Sequence, residues 1–240
     1  MSSQRLNKFL AQRGVCSRRQ ADRWIEEGRF RVNGEPVTLG LQVSEGDVIE
    51  LDGKVLELKQ EKPRRIIVAF HKPVGVESTQ DPDNERNLDR AINWKGPRIF
   101  MIGRLDIASE GLLLMTNDGD LVNPILKSSQ NHEKEYIVVF DSPISDAQIR
   151  EMRSGVDIGD DQRGLTKPCG VDRLGRNRVS IRLTEGRNRQ IRRMAEAFGL
   201  RVVRLKRIRV MNVELGDLPK GEWRYLTKME EKTLLESLNL

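Results

Sequence analysis

Asp106 and Arg104 stand between two stretches that read as strands, Phe100-Met101-Ile102 and a fully buried one from Gly111 to Thr116 around the apolar run Leu112 to Met115. A carboxylate so close to buried strands costs several kcal/mol unless it is paired or hydrogen-bonded. Asp106 therefore caps a turn, pairs with an arginine, or does chemistry, and an aspartate can serve as a covalent nucleophile or a base. Other common catalytic sets do not occur in the chain. It has two histidines, His71 and His132, and no Cys/His/Glu spacing of a zinc site. It has no G-x-S-x-G, no P-loop and no G-x-G-x-x-G. What remains is the lone aspartate, a hydroxyl on Tyr136 whose ring can stack on a base, and arginines that would keep a neighbouring carboxylate ionised. The expectation is chemistry without a cofactor and without a metal.

The elements that must position these groups belong to a chain of 240 residues, 37% hydrophobic and 32% charged. No apolar run approaches the ~20 residues of a membrane span. The N-terminus lacks the apolar region of a signal peptide, and two cysteines, Cys16 and Cys169, give no disulfide framework. The chain reads as cytoplasmic. Its net charge of +6 is unevenly spread. Residues 1–31 carry eight basic residues against three acidic, residues 182–209 ten against two, and the remainder is acidic. Two concentrated basic zones on an otherwise acidic chain suit a polyanion.

Leu6, Phe9 and Leu10 recur at helical spacing, and Ser17 can cap a second helix with Ala21, Trp24 and Ile25 on its apolar face. Short strands follow around Asn33-Gly34, Ser44 to Asp47 and Asp52-Gly53. This stretch resembles the S4 RNA-binding module, through Arg5-Leu6-Asn7-Lys8-Phe9-Leu10, Gly14 to Ala21, Ile25, Gly28 and Val32-Asn33-Gly34. Arg18 and Arg19 fall in the first turn of their helix, where guanidinium and backbone N–H groups can address phosphate together.

Residues 1–60 form the expected first domain, 61–65 a linker around Pro63, and 66–240 a second domain. It opens on a strand from Ile66 to Phe70 and a turn from His71 to Gly75. Helices are expected over Leu88–Trp94, Leu121-Val122 (with a new turn at Asn123-Pro124), Ser145–Met152 and Glu230–Leu238. Strands are expected at Ile137–Phe140, Arg178–Leu183, Val202-Val203, Ile208–Val210 and Trp223–Leu226, and 155–175 reads as polar turns. Arg187 to Gln190 opens a helix whose buried stripe is Ile191, Met194, Ala195 and Phe198.

Four ordered blocks in this second domain resemble the RsuA/RluB/RluE/RluF family of pseudouridine synthases. They are Lys72-Pro73-Val74-Gly75; Gly103 to Asp106 with Ser109, Gly111 to Leu114 and Thr116 to Gly119; Glu133 to Tyr136; and Glu185 to Met194. The resemblance implies an α+β chain: a small S4 domain, then a catalytic domain with a largely antiparallel mixed sheet flanked by helices and loops. It implies that Asp106 attacks a flipped-out uridine and breaks its N1–C1′ bond, after which the uracil rejoins through C5 with no cofactor. Whether Asp106 adds to the sugar, adds to the ring or acts as a base stays open at this point. Tyr136 would stack on the target base, Arg192 would pair with the Asp106 carboxylate, and Arg104 would fill the space the base leaves. Leu114 or Ile191 would line the uracil pocket. Other RNA contacts are expected from Arg5, Lys8, Arg18 and Arg19 in the first domain, and from Arg187, Arg189 and Arg193 in the second. Asn131 to Tyr136 and Arg209 to Val213 look most like the F branch, which makes 23S ribosomal RNA the expected partner, with 16S RNA or tRNA as alternatives. A monomer without membrane association is expected. The competing readings are a non-catalytic S4-type ribosome-assembly binder and a base-removing hydrolase.

Overall fold

A computed structural model describes residues 3–58, 64–127, 131–159 and 164–240, so residues 61–63 of the expected linker lie outside the described residues. The chain divides into two compact units, Met1–Arg65 and Ile66–Leu240. In the first, β1 (Gln4–Arg5), α1 (Leu6–Gln12) and α2 (Arg18–Glu26) precede β2 (Phe30–Val32), β3 (Glu35–Pro36), β4 (Gln42–Val43), β5 (Ile49–Leu51) and β6 (Lys54–Val55). Ser17 accepts the Gln20 N–H at 3.1 Å, as its type before a helical run predicts. Leu6, Phe9, Leu10, Ala21 and Ile25 then meet Phe30, Val32 and Ile49 in one small core.

The second unit contains β7 (Ile67–Lys72), α3 (Leu88–Ile92), β8 (Phe100–Ile102), β9 (Glu110–Thr116), α4 (Val122–Leu126), β10 (Lys134–Phe140) and α5 (Asp146–Ser154). It continues with β11 (Gly170–Gly175), β12 (Arg178–Leu183), α6 (Gln190–Glu196), β13 (Val202–Val210), β14 (Val213–Glu214), β15 (Trp223–Tyr225) and α7 (Lys228–Ser237). Its sheet runs β11-β12-β10-β13-β9-β7-β15, with β8 on β9 and β14 on β13. Among the described residues every pairing is antiparallel except β9 with β13, so the expected mixed, largely antiparallel sheet holds. Strand β9 is buried along its whole length. Leu112 and Leu114 pack toward Leu226 and Leu234 on one side, Leu113 and Met115 toward Leu88 and Ile92 on the other. That two-sided burial is why the strand reads as an unbroken apolar run.

Several expectations need correction. His71 and Lys72 belong to β7 rather than to the turn, and both are buried. The His71 ring puts Nδ1 2.7 Å from the Leu218 carbonyl. Pro124 lies inside α4, at its third residue, where the missing N–H would have no partner in a helix anyway. Residues 170–175, read as turns, form β11, which takes its register from β12. Val202 to Val210 is one strand rather than two, because it pairs with β10 from one end to the other. Phe198 lies beyond the end of α6 and is only partly buried.

One row of residues crosses the middle of the sheet. The register pairs Tyr136 on β10 with Arg207 on β13, Arg207 with Gly111 on β9, and Gly111 with Lys72 on β7. Gly111 makes the row possible. At φ 115 it brings β9 so close to β13 that a Cβ would lie 2.2 Å from the Arg207 carbonyl oxygen.

Candidate active site

The loop from Gly103 to Ser109 joins β8 to β9 and is held at almost every residue. The Ser78 hydroxyl donates to the Leu105 carbonyl at 2.6 Å and accepts the Leu105 N–H at 3.0 Å. The Gly75 N–H donates to the Ile107 carbonyl at 2.8 Å, and the Ser109 N–H to the Asp106 carbonyl at 2.9 Å. Arg192 on α6 reaches in with Nη2 to the Ala108 carbonyl at 2.9 Å and to Ser109 Oγ at 3.4 Å, while Nη1 donates to the Val202 carbonyl at 3.1 Å. Lys72 holds the neighbouring turn, donating Nζ to the Pro73 and Val76 carbonyls at 2.9 and 2.6 Å.

Amid this clamping the half-buried Asp106 carboxylate makes no hydrogen bond and no ion pair among the described residues. It is therefore neither the cap of its turn nor the structural partner of an arginine. Its surroundings are cationic at slightly longer range: the fields of Lys72 and Arg192 both feel it. Burial pulls the Lys72 ammonium down to about 8, with Asp106 opposing that shift. Burial likewise lowers the Arg192 guanidinium, Arg189 adds to the effect, and Asp106 works against it. A fixed carboxylate with cations near it but none in contact suits attack on an electrophile or removal of a proton.

Asp106 opens into a cleft of about 820 Å³. Arg104, Ile107, Ser78, Leu126, Lys134, Tyr136, Leu183, Arg189, Ile191 and Arg207 are among its walls. Tyr136, half-buried in mid-strand, offers its ring to this space. Arg104 is exposed at the cleft and its side chain pairs with nothing among the described residues. The sequence expectations for Asp106, Tyr136, Arg104, Arg189 and Ile191 thus converge on one cavity, although these residues are scattered along the chain.

Others do not converge as expected. Arg192 is not in contact with the Asp106 carboxylate; its planar fork is taken by two backbone carbonyls and a hydroxyl, and it acts on the loop that carries Asp106. Leu114 points away from the cleft, packed with Ile67, Ala69 and Leu226. Arg187 borders the cleft but donates to the Gly164 and Leu165 carbonyls at 2.7 and 2.6 Å and faces Glu185 at 3.5 Å, with a side chain only 6% exposed. It is committed to the protein rather than available to RNA. Arg193 lies outside the lining, with Nη2 3.5 Å from the Gly159 carbonyl. Arg5, Arg18 and Arg19 are exposed and Lys8 half-exposed in the first unit.

The basic zone over 182–209 is also less bare than the sequence suggests. Arg182 pairs with Asp172 at 2.6 Å, Arg204 with the buried Glu110 at 2.6 Å, and Arg209 with Glu133 and Glu135. Sequence reasoning missed Lys72, Ser78, Lys134 and Arg207. A signal existed for Lys134, which precedes Tyr136 by two and so shares its strand face. Among the described residues no group of three His, Cys, Asp or Glu side chains is arranged to hold a metal ion. No helix among them is long and apolar enough to cross a membrane.

Comparison with known proteins gives the same picture. Residues 66–197 match the family model described as RNA pseudouridylate synthase, and residues 4–49 match the S4 domain. The chain is 46% identical over 229 residues to the dual-specificity RNA pseudouridine synthase RluF of Escherichia coli (strain K12), covering 95% of this chain and 77% of the relative. It is 37% identical over 248 residues to an uncharacterized RNA pseudouridine synthase of Aquifex aeolicus (strain VF5), covering 100% of this chain and 97% of that one. It is 36% identical over 252 residues to the ribosomal large subunit pseudouridine synthase B of Xylella fastidiosa (strain 9a5c), covering 99% of this chain and 52% of that protein. A crystal structure of a pseudouridylate synthase superposes with a TM-score of 0.69 at 29% identity, over 96% of this chain and 99% of the other.

Proposed function

The chain belongs to the RNA pseudouridylate synthases, with an S4 domain ahead of the synthase domain, and from that premise we propose that it isomerises uridine in 23S ribosomal RNA through Asp106. The single observation that carries this reading is the Asp106 carboxylate, unpartnered among the described residues on a loop held at almost every residue. The reaction adds and removes no atoms overall. The N1–C1′ bond breaks, a C5–C1′ bond forms, and the proton on C5 is replaced by one on N1. A uridine must leave its helix to reach Asp106, at a cost of a few kcal/mol. Stacking on Tyr136 and the positive potential of the cleft offset that cost, and the exposed Arg104 is placed to enter the vacated stack. Arg192 is a positioning residue in this reading, since it orients the Asp106 loop through Ala108 and Ser109. Similarity to large-subunit and RluF-type synthases supports 23S RNA as the first substrate, and transfer RNA is the second class to test.

The test is to map pseudouridines in 23S, 16S and transfer RNA from a strain lacking the protein, complemented by wild type or by Asp106→Asn. Loss of one or more 23S sites, restored by wild type and not by the variant, is expected. Wild-type-level product from Asp106→Asn would overturn the proposed chemistry.

A further inference from the structure

We infer that Lys134 and Arg207 form an anion subsite in the cleft wall that takes a phosphodiester of the RNA beside the flipped uridine. The inference rests on the RNA-isomerase reading and adds to it a residue pair with a defined ligand. Both side chains line the cleft that holds Asp106. Lys134 stands two residues before Tyr136 on β10, and Arg207 is the cross-strand partner of Tyr136 on β13. The two cations therefore flank the ring on which the base would stack.

Unlike the exposed Arg104, both are withdrawn from water, and neither has a counter-charge among the described residues. Two other basic residues of this wall do face carboxylates: Arg187 faces Glu185 at 3.5 Å and Arg189 faces Glu196 at 3.8 Å. Lys134 and Arg207 have no carboxylate within ion-pair distance among the described residues. Arg207 is only 4% exposed, with Nε on the Leu112 carbonyl at 2.7 Å and Nη1 3.5 Å from the Arg104 carbonyl. Among the described residues the Lys134 ammonium has one hydrogen bond, a long 3.5 Å contact to the His132 carbonyl. Two like charges withdrawn from water and left unpaired oppose folding. Burial, and after it the field of Arg207, lowers the Lys134 ammonium to about 8, which records the same cost. An arriving anion reverses it.

The substrate's chemistry identifies that anion. Uracil carries no permanent charge, whereas a flipped nucleotide brings a phosphodiester on each side of its sugar. No other group on an RNA that reaches this wall is permanently negative.

The experiment uses the full chain with a 23S RNA transcript. Binding is measured across a range of salt concentrations and turnover at saturating RNA, for wild type, Lys134→Met and Lys134→Arg. The expected result for Lys134→Met is a roughly tenfold weaker Kd, the size of one charge-assisted hydrogen bond. The slope of log affinity against log salt should become shallower by about one, because one phosphate contact is lost. Lys134→Arg should restore the slope, and Lys134→Met should melt no lower than wild type. An unchanged salt slope would overturn the subsite. So would a collapse of turnover at unchanged Kd, which would assign the charge to the reacting base, or a lower melting temperature with an unchanged slope, which would make Lys134 structural. If wild type forms no pseudouridine, the parent reading fails instead.

Discussion

Gly111→Ala separates a close approach of strands from ordinary backbone strain. The new methyl would meet the Arg207 carbonyl oxygen at 2.2 Å, its nitrogen at 2.6 Å and its carbonyl carbon at 2.9 Å. All three are main-chain atoms, so no side chain can rotate aside and β9 must move from β13. Overpacking of this kind costs about 1–3 kcal/mol. The φ of 115° adds about 1–2 kcal/mol for a residue with a Cβ. A loss near 3.5 kcal/mol is a large share of the ~5–15 kcal/mol that holds a typical protein folded. For a domain of this size it corresponds to a fall of roughly 10 °C in Tm. Gly216→Ala supplies the control. Gly216 also has positive φ, at 54°, but nothing lies within 4 Å of its Cβ position. Only the conformational cost of about 1 kcal/mol applies there, or roughly 3 °C. Differential scanning calorimetry of the full chain at fixed scan rate compares the two. Because Arg207 borders Tyr136, Gly111→Ala should also lower kcat at a temperature where it stays folded, and Gly216→Ala should not. Equal melting temperatures for the two variants would refute the idea that Gly111 is required by the approach of β13.

Two further outcomes rest on the same geometry. Arg192→Lys keeps the charge but loses the fork that spans the Val202 and Ala108 carbonyls; kcat should fall about tenfold, the worth of one charge-assisted hydrogen bond, with KM for RNA nearly unchanged. Steady-state kinetics on the 23S transcript decide it, and a change confined to KM would show that Arg192 holds RNA rather than the loop. Glu110 is 2% exposed; burial works to raise its carboxyl, but Lys220 and Arg204 outweigh burial and hold it below its ordinary 4.5. A lowered carboxyl contributes stability that is present above 4.5 and is lost as pH falls through the folded value. Glu110→Gln should be less stable at neutral pH and show a flatter acid limb, read from urea midpoints at several pH values; an acid limb parallel to wild type would rule this out.

Local signals carry well from sequence to structure. Ser17 caps its helix through a side-chain contact to the backbone three residues on, so the information lies within one turn. Strand β9 is legible because its middle, Leu112 to Met115, is buried on both faces and is apolar at every position. Strand β11 is not, since Gly170 to Gly175 alternates weakly and is held by hydrogen bonds from β12. Strand β13 looks broken in the sequence because its charges, read alone, resemble a solvated surface.

By itself, then, the sequence indicated that an S4-like module precedes an α+β synthase domain, and it singled out Asp106, Tyr136 and a cluster of arginines as candidates for its reactive and binding groups. Only the tertiary structure decided what each cation does. Arg192 meets Ala108 across 84 positions, Arg204 meets Glu110 across 94, and Arg207 meets Leu112 across 95. Such pairings are set by strand register and by the close approach that Gly111 permits, neither of which leaves a mark on neighbouring residues. A charge has the same appearance in a sequence whether it ends beside a carboxylate, on a carbonyl or unpaired in a cleft. Its surroundings in the fold make Asp106 free, Arg187 committed and Lys134 available.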